Sequence, residues 1–215
     1  DPSIKRFKKV GSVDQDISLN EEMVGTITWM RQRYGIKYLD GLRAFIPSGK
    51  PAKAGKEKEP YKDVTGEPQH IDALTVEQKA AVEEINGAIG SCRGESFLIH
   101  GVTSSGKTEI YMRAIAKALS MGKTAIMLVP EIALTRQIID RFIGRFGKSA
   151  IAVLHSKLTR RERFDEWMRI RRGEAKIVIG ARIGVFAPLE NIGVIIMDEE
   201  HESTYKSDQT PKYDT

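Results

Sequence analysis

The 215 residues include a single cysteine, Cys92. One thiol excludes an intramolecular disulfide and any multi-cysteine zinc site within the chain, and a reducing, cytoplasmic setting is the natural default. No apolar run approaches the roughly 20 residues that crossing a bilayer requires, so no membrane partner is expected. No secretory signal pattern opens the chain, and no internal repeat is evident. What remains is an ordinary balance of 40% hydrophobic and 29% charged residues, and a length that suits one full domain plus a smaller piece.

The net charge of +5 is unevenly spread. Residues 1–62 hold 13 Lys and Arg against 8 Asp and Glu, whereas residues 63–215 hold 21 of each. A basic arm reads equally as a nucleic-acid footprint or as a solvated surface. Residues 47–70 carry mostly Pro, Gly, Lys and Glu, too little apolar surface to offset ordering entropy, and read as a linker. It separates a small N-terminal region, residues 1–46, from a main domain, residues 71–215. In the first region Ser18 and Glu21 have capping-box spacing ahead of a helix that ends near Gly35. Trp29 reads as part of a small core rather than as a base-stacking residue.

From residue 74 helical stretches alternate with apolar runs of four to six residues: "SFLIHG", "TAIMLVP", "AIAVLH", "AKIVIG" and "GVIIMD". That alternation predicts βα units and a parallel sheet with helices on both faces, an α/β domain. Between the first run and its helix stands "GVTSSGKT", comprising Gly101, Val102, Thr103, Ser104, Ser105, Gly106, Lys107 and Thr108. It matches G-x-x-x-x-G-K-S/T in the strand-to-helix context that gives the motif meaning. The glycines let backbone N–H groups close on phosphates, Lys107 reaches the β- and γ-phosphates, and Thr108 offers a hydroxyl to Mg²⁺. ATP and Mg²⁺ are therefore the expected cofactors.

The last apolar run stops at Asp198, Glu199, Glu200 and His201. Carboxylates at the end of a core strand are costly unless compensated. At the strand ends of an α/β sheet they face the ligand crevice. Asp198 is placed to hold Mg²⁺ near Thr108, and Glu199 to orient or deprotonate an attacking water. Glu200 is less constrained, and His201 either relays beyond the phosphate site or caps a turn. Loops after the other strands pair a hydroxyl or small residue with a base: Thr135 with Arg136, Ser156 with Lys157, Ala181 with Arg182. Such groups suit a nucleic-acid backbone, with helix capping as the plainer alternative. Spacing favours Gln78 as the partner of a Thr75 cap over an adenine contact.

Together "LTVEQ", "GVTSSGKTEIY", "MLVPEIALTRQ", "LHSKLTRRER", "KIVIGARIGVFAP" and "GVIIMDEEHESTYKSDQTPKY" resemble the first motor lobe of the PriA family of primosomal replication-restart helicases. These are superfamily 2, DExH-type motors with two RecA-like lobes. The resemblance runs through residues 74–215 without a break, and residues 19–49 look like the end of that family's N-terminal DNA-binding region. It implies a 3′→5′ DNA helicase and ATPase, cytoplasmic and monomeric, acting on single-stranded DNA and branched forks beside replication-restart proteins and single-strand DNA-binding protein. By the same resemblance Gln78 becomes an adenine contact, Glu200 and His201 couple the two sites, and Tyr205 and Tyr213 belong to a loop that links DNA binding to hydrolysis. Ser104, Ala181 and Pro211 depart from the family pattern, which more often has Gly, Thr and Trp there.

The chain ends soon after this motif, so the resemblance implies a fragment without the second lobe or the family's zinc module. Such a fragment is expected to bind Mg–ATP weakly, hydrolyse it poorly and unwind nothing. The competing readings are another DExH DNA translocase and a nucleotide-dependent DNA-binding or docking module.

Overall fold

The computed structural model describes residues 17–48, 60–61, 63–66, 73–102, 105–207 and 211–215. The basic stretch up to residue 16, most of the 47–70 linker, and Thr103 and Ser104 of the phosphate loop lie outside the described residues. No described helix is long and apolar enough to cross a membrane.

Four of the apolar runs form a wholly parallel sheet: β1 (Thr124–Leu128), β2 (Ile151–Leu154), β3 (Ile177–Gly180) and β4 (Ile192–Met197), in the order β2-β3-β1-β4. Leu128 lies opposite both Gly180 and Met197, and Leu154 opposite Gly180, so every strand ends at the same edge. The continuous apolar runs follow from burial on both faces. Ala125, Met127, Val153, Ile177 and Ile179 pack under α4 (Lys107–Ser120) and α5 (Arg136–Phe146). Ile126, Leu128, Ala152, Leu154 and Val178 pack on the other side with Ile170 of α6 (Arg160–Arg171). The α/β class expected from the alternation is the class observed, and it has the layering of a RecA-like lobe.

Helix starts follow the local chemistry. A capping box pairs Thr75 with Gln78 at α3 (Val76–Ser91), and another pairs Thr159 with Glu162 at α6. At α1 (Glu21–Tyr34) the expected Ser18 box does not form. Asn20 takes that place, its side chain accepting from the Met23 N–H at 2.8 Å, while Ser18 Oγ accepts from Arg171. Asn serves the orphan N–H groups as well as Ser does, and it stands immediately before the helix.

Two further expectations are corrected. The run "SFLIHG" is not a strand: residues 93–102 carry no ladder pairing, Leu98 is 81% exposed, and the run and β4 line a common cavity. Strand-like composition supplies one edge only, and pairing also needs a partner backbone within about 5 Å. Trp29 is 53% exposed and meets Tyr34 edge-on at 5.6 Å, so it is no core residue. Instead Met23, Ile27 and Met30 of α1, with Phe45 of α2 (Tyr38–Phe45), make the small core that packs on Phe186 and Tyr213.

That helix pair is tied to the sheet domain through Trp167, a buried residue whose Nε1 donates to the Phe45 carbonyl at 2.8 Å. Trp167→Phe keeps a ring but strands that carbonyl, at a cost of about 1–3 kcal/mol. The urea midpoint should fall with an unchanged slope. An unaltered midpoint would mean that the bond contributes nothing to holding the helix pair.

Candidate nucleotide-binding site

The phosphate loop is shaped by contacts that forbid side chains at two points. Gly106 has φ 83°, a left-handed conformation, and a Cβ there would strike the Gln78 amide nitrogen. A Cβ at Gly101 would lie 2.7 Å from Ser105 Oγ. Gln78 explains the first restriction. Its Oε1 accepts from the Thr75 N–H at 3.0 Å, and its Nε2 donates to the Ser105 carbonyl at 2.8 Å. The amide thus completes the helix cap and fastens α3 to the phosphate loop, a use that spacing alone did not suggest.

Helix α4 begins at Lys107, directly behind this loop, and its first turn presents unpaired N–H groups and positive potential. Lys107 Nζ donates to the Gly101 carbonyl at 2.7 Å and lies 3.8 Å from Glu199 Oε1. Thr108 follows on the same turn, half-buried. The chain's own carbonyl and carboxylate occupy the ammonium where phosphate oxygens would.

From the sheet side, β4 delivers the acidic residues. The Asp198 N–H donates to the Leu128 carbonyl at 2.9 Å, extending the β1–β4 ladder by one bond. Asp198 Oδ1 accepts from the Tyr111 hydroxyl at 3.1 Å, and its backbone carbonyl accepts from the Tyr205 hydroxyl at 2.7 Å. Burial, and then the Asp198 charge, push both phenols well above the ordinary tyrosine range, so both remain donors. Glu199 has φ 47°, rare for a residue with a side chain and a mark of local constraint. His201 Nε2 lies 3.8 Å from Glu199 Oε2. Lys107, Tyr111, Glu199, Glu200 and His201 line a cavity of about 860 Å³ together with β4 and the unpaired segment before the phosphate loop.

These residues suit Mg–ATP. The glycine cradle, the helix N-terminus and Lys107 could hold an anion, and Thr108 and Asp198 carry hard oxygens of the kind that Mg²⁺ takes. No group of three or more potential metal-ligating His, Cys, Asp or Glu occurs among the described residues. Mg²⁺ does not need one, since it is commonly held by one or two protein oxygens plus substrate phosphates.

The loops after the four strands do share the edge with this site, as parallel pairing requires, but their polar groups are engaged within the chain. Thr135 Oγ1 caps α5 by accepting from the Ile138 N–H at 3.4 Å, and Arg136 donates to the Asp63 carbonyl at 3.0 Å. Ser156 Oγ bonds to the Glu131 carboxylate. Arg182 donates to the carbonyls of Thr204 and Lys206, with its guanidinium 5.5 Å from the Tyr213 ring centre. Tyr205 and Tyr213 are only 3% and 8% exposed. Their expected base stacking is therefore not available in this arrangement, because it needs an open ring face. Tyr213 instead packs edge-on against Phe186 at 5.0 Å.

Sequence reasoning missed Tyr111. Its signal was present: it stands four residues after Lys107, one helical turn along the same face.

Residues 75–215 match the family described as DEAD/DEAH box helicase. The chain belongs to that family. It is also similar to the protein named replication restart protein PriA in three organisms. Identity is 52% over 73% of this chain and 19% of the relative in Bacillus subtilis (strain 168). In Treponema pallidum (strain Nichols) it is 39% over 98% and 31%. In Synechocystis it is 35% over 99% and 27%. The chain thus spans a fifth to a third of the length of these relatives. Within the matched stretch, Asp198–His201 read DEEH.

Two outcomes test this geometry. Gly106→Ala should weaken binding of an ATP analogue in a fluorescence titration, because the residue must hold a left-handed backbone and the Gln78 amide must give up its place beside it. The second concerns His155 in the loop after β2, whose Nε2 lies 2.6 Å from the Tyr61 hydroxyl and whose Nδ1 accepts from the Lys157 N–H. Burial above all lowers its pKa from the usual 6.5; Glu131 and Glu162 oppose the shift, and Lys157 and Arg163 add to it. The unfolded chain therefore takes up the proton first, and stability should drop as pH falls through and below about 6.5. Melting curves between pH 8 and 5 should show a shallower drop in His155→Asn.

Proposed function

We propose that this chain is the ATP-binding lobe of a 3′→5′ DNA helicase of replication restart. What carries the reading is the meeting of Lys107, Asp198 and Glu199 at the end of β4, in a chain similar to replication restart proteins. Lys107 exchanges its Gly101 and Glu199 partners for the β- and γ-phosphates of ATP. Thr108 and Asp198 hold Mg²⁺, which when bound offsets negative charge on the phosphate oxygens. Glu199, released from the ammonium, orients a water and accepts its proton as the water oxygen bonds to the γ-phosphorus. The bond to the β-phosphate oxygen breaks, and ADP and phosphate leave. Gln78 trades its Thr75 and Ser105 partners for the adenine edge, and Glu200 and His201 carry the change of phosphate state to the DNA side.

Thr135, Arg136, Ser156 and Arg182 supply the contacts to single-stranded DNA at the common edge. For Arg182 this means trading the Thr204 and Lys206 carbonyls for a phosphate, which frees the loop carrying Tyr205. Residues 1–46 act as the end of a DNA-binding region joined by a linker to the lobe of residues 71–215. Stalled forks, restart proteins and single-strand DNA-binding protein are the partners, in the cytoplasm. Translocation requires a second lobe that supplies an arginine finger and moves against this one.

The test is ATP hydrolysis with and without single-stranded DNA, on this chain and on one extended through a second lobe. Strong stimulation by DNA should appear only in the longer chain, and Lys107→Ala and Glu199→Gln should each reduce it by at least roughly a hundredfold. Nucleotide binding without stimulation in either chain would instead favour a docking module.

A further inference from the structure

We propose that Tyr111 is a positioning residue for Mg²⁺, holding the Asp198 carboxylate in place for the ion while Tyr205 anchors the same residue by its backbone. The inference rests on the reading of Asp198 as a metal-binding residue.

The geometry is specific. Asp198 is the first residue beyond β4, where ladder bonds no longer determine its side chain. Its backbone is bonded on both sides, N–H to Leu128 at 2.9 Å and carbonyl to the Tyr205 hydroxyl at 2.7 Å. That leaves the side-chain torsions, which the Tyr111 hydroxyl restricts by donating to Oδ1 at 3.1 Å. One carboxylate oxygen is thus engaged and Oδ2 is left for a cation.

Tyr111 can do this because it is itself immobilised. Its ring is buried in the α4 face of the core beside Ile115, Met127 and Ile196, and it lies one turn beyond Lys107 on the same helix. The phosphate-binding lysine, the Mg²⁺-binding threonine and the tyrosine that orients the opposing carboxylate therefore move as one rigid unit. A phenylalanine would fill the same core volume, so the hydroxyl is not there for packing. Buried hydroxyls need partners, and a helix-borne tyrosine finding one in Asp198 has the form of an outer-shell contact to a metal ligand.

The experiment measures binding of a fluorescent ATP analogue to the purified chain, in EDTA and across a Mg²⁺ titration, for the native protein, Tyr111→Phe, Tyr205→Phe and Asp198→Asn. Tyr111→Phe should need roughly tenfold more Mg²⁺ for half-maximal enhancement, the lower end of what losing an outer-shell partner costs. Affinity in EDTA and the melting temperature should stay close to native. Tyr205→Phe, which frees only the backbone, should shift the titration less. A native Mg²⁺ dependence in Tyr111→Phe alongside a large shift in Asp198→Asn overturns the role of Tyr111 and leaves Asp198 intact. An equal loss in EDTA and in Mg²⁺ also overturns it, by showing a structural role alone. No shift in Asp198→Asn overturns the metal reading of Asp198 itself, and the inference with it.

Discussion

The site depends on the parallel pairing of β1 with β4. Leu128 opposite Met197, followed by the bond from the Asp198 N–H to the Leu128 carbonyl, sets the point at which β4 stops being sheet and becomes loop. Parallel strands have a side-chain period of two, so a slip of one residue would turn Met197 and its neighbours to the opposite face. Asp198 would then leave Tyr111, and Glu199 would leave Lys107. The register is protected by burial on both faces of β1, where Ile126 and Leu128 face one layer of helices and Met127 the other. Phosphate chemistry at the edge is thus stabilised by apolar contacts that never touch the phosphate.

The electrostatic arrangement follows from that register. Glu199 beside Lys107 leaves the loop partly compensated before any nucleotide arrives. An unpaired carboxylate at the end of a core strand would be expensive, and an unpaired ammonium at a helix N-terminus would meet the positive end of the dipole. Held against each other, the two groups offset both costs. The same contact ties the two residues together, so an anion that took Lys107 would also release Glu199.

Much of this was legible in the sequence, for identifiable reasons. The phosphate motif is local, eight consecutive residues running into a helix, and the acidic run adjoins its strand. Gln78 showed its cap through a three-residue spacing, yet its bond to Ser105 spans 27 positions and leaves no local trace. The Tyr111–Asp198 contact spans 87 positions, and only the helical offset from Lys107 hinted at it. Tyr205 and Tyr213 looked like exposed stacking rings because aromatic residues in a polar segment usually are. Tyr213 is buried by α1, α2 and Phe186. Tyr205 is buried in the apolar cluster that includes Leu128, Leu154 and Leu189, and no local pattern announces either. The run at residues 96–101 misled for the reverse reason: its composition is that of a strand, but composition cannot show whether an opposing edge lies within reach.

The two edges of the sheet are treated differently, and the difference bears on the site. At β2 the outward Val153 N–H donates to the buried Glu166 carboxylate at 2.8 Å, and Arg169 pairs with the same carboxylate at 2.7 Å. That edge is closed to further pairing, as edge strands in stable sheets generally are. At β4 no described strand lies outside, and Ile195 is 56% exposed toward the cavity. The segment across that cavity leads straight into Gly101, whose carbonyl Lys107 holds. The acidic loop and the phosphate loop therefore approach each other across the less constrained margin of the sheet. They are joined there by side-chain contacts, Lys107 to Glu199 and Tyr111 to Asp198, rather than by ladder bonds. Contacts of that kind can be exchanged for ligand contacts without breaking the core, whereas a ladder bond cannot. A site that must change partners with each nucleotide is better placed at such a margin than between two fully paired strands.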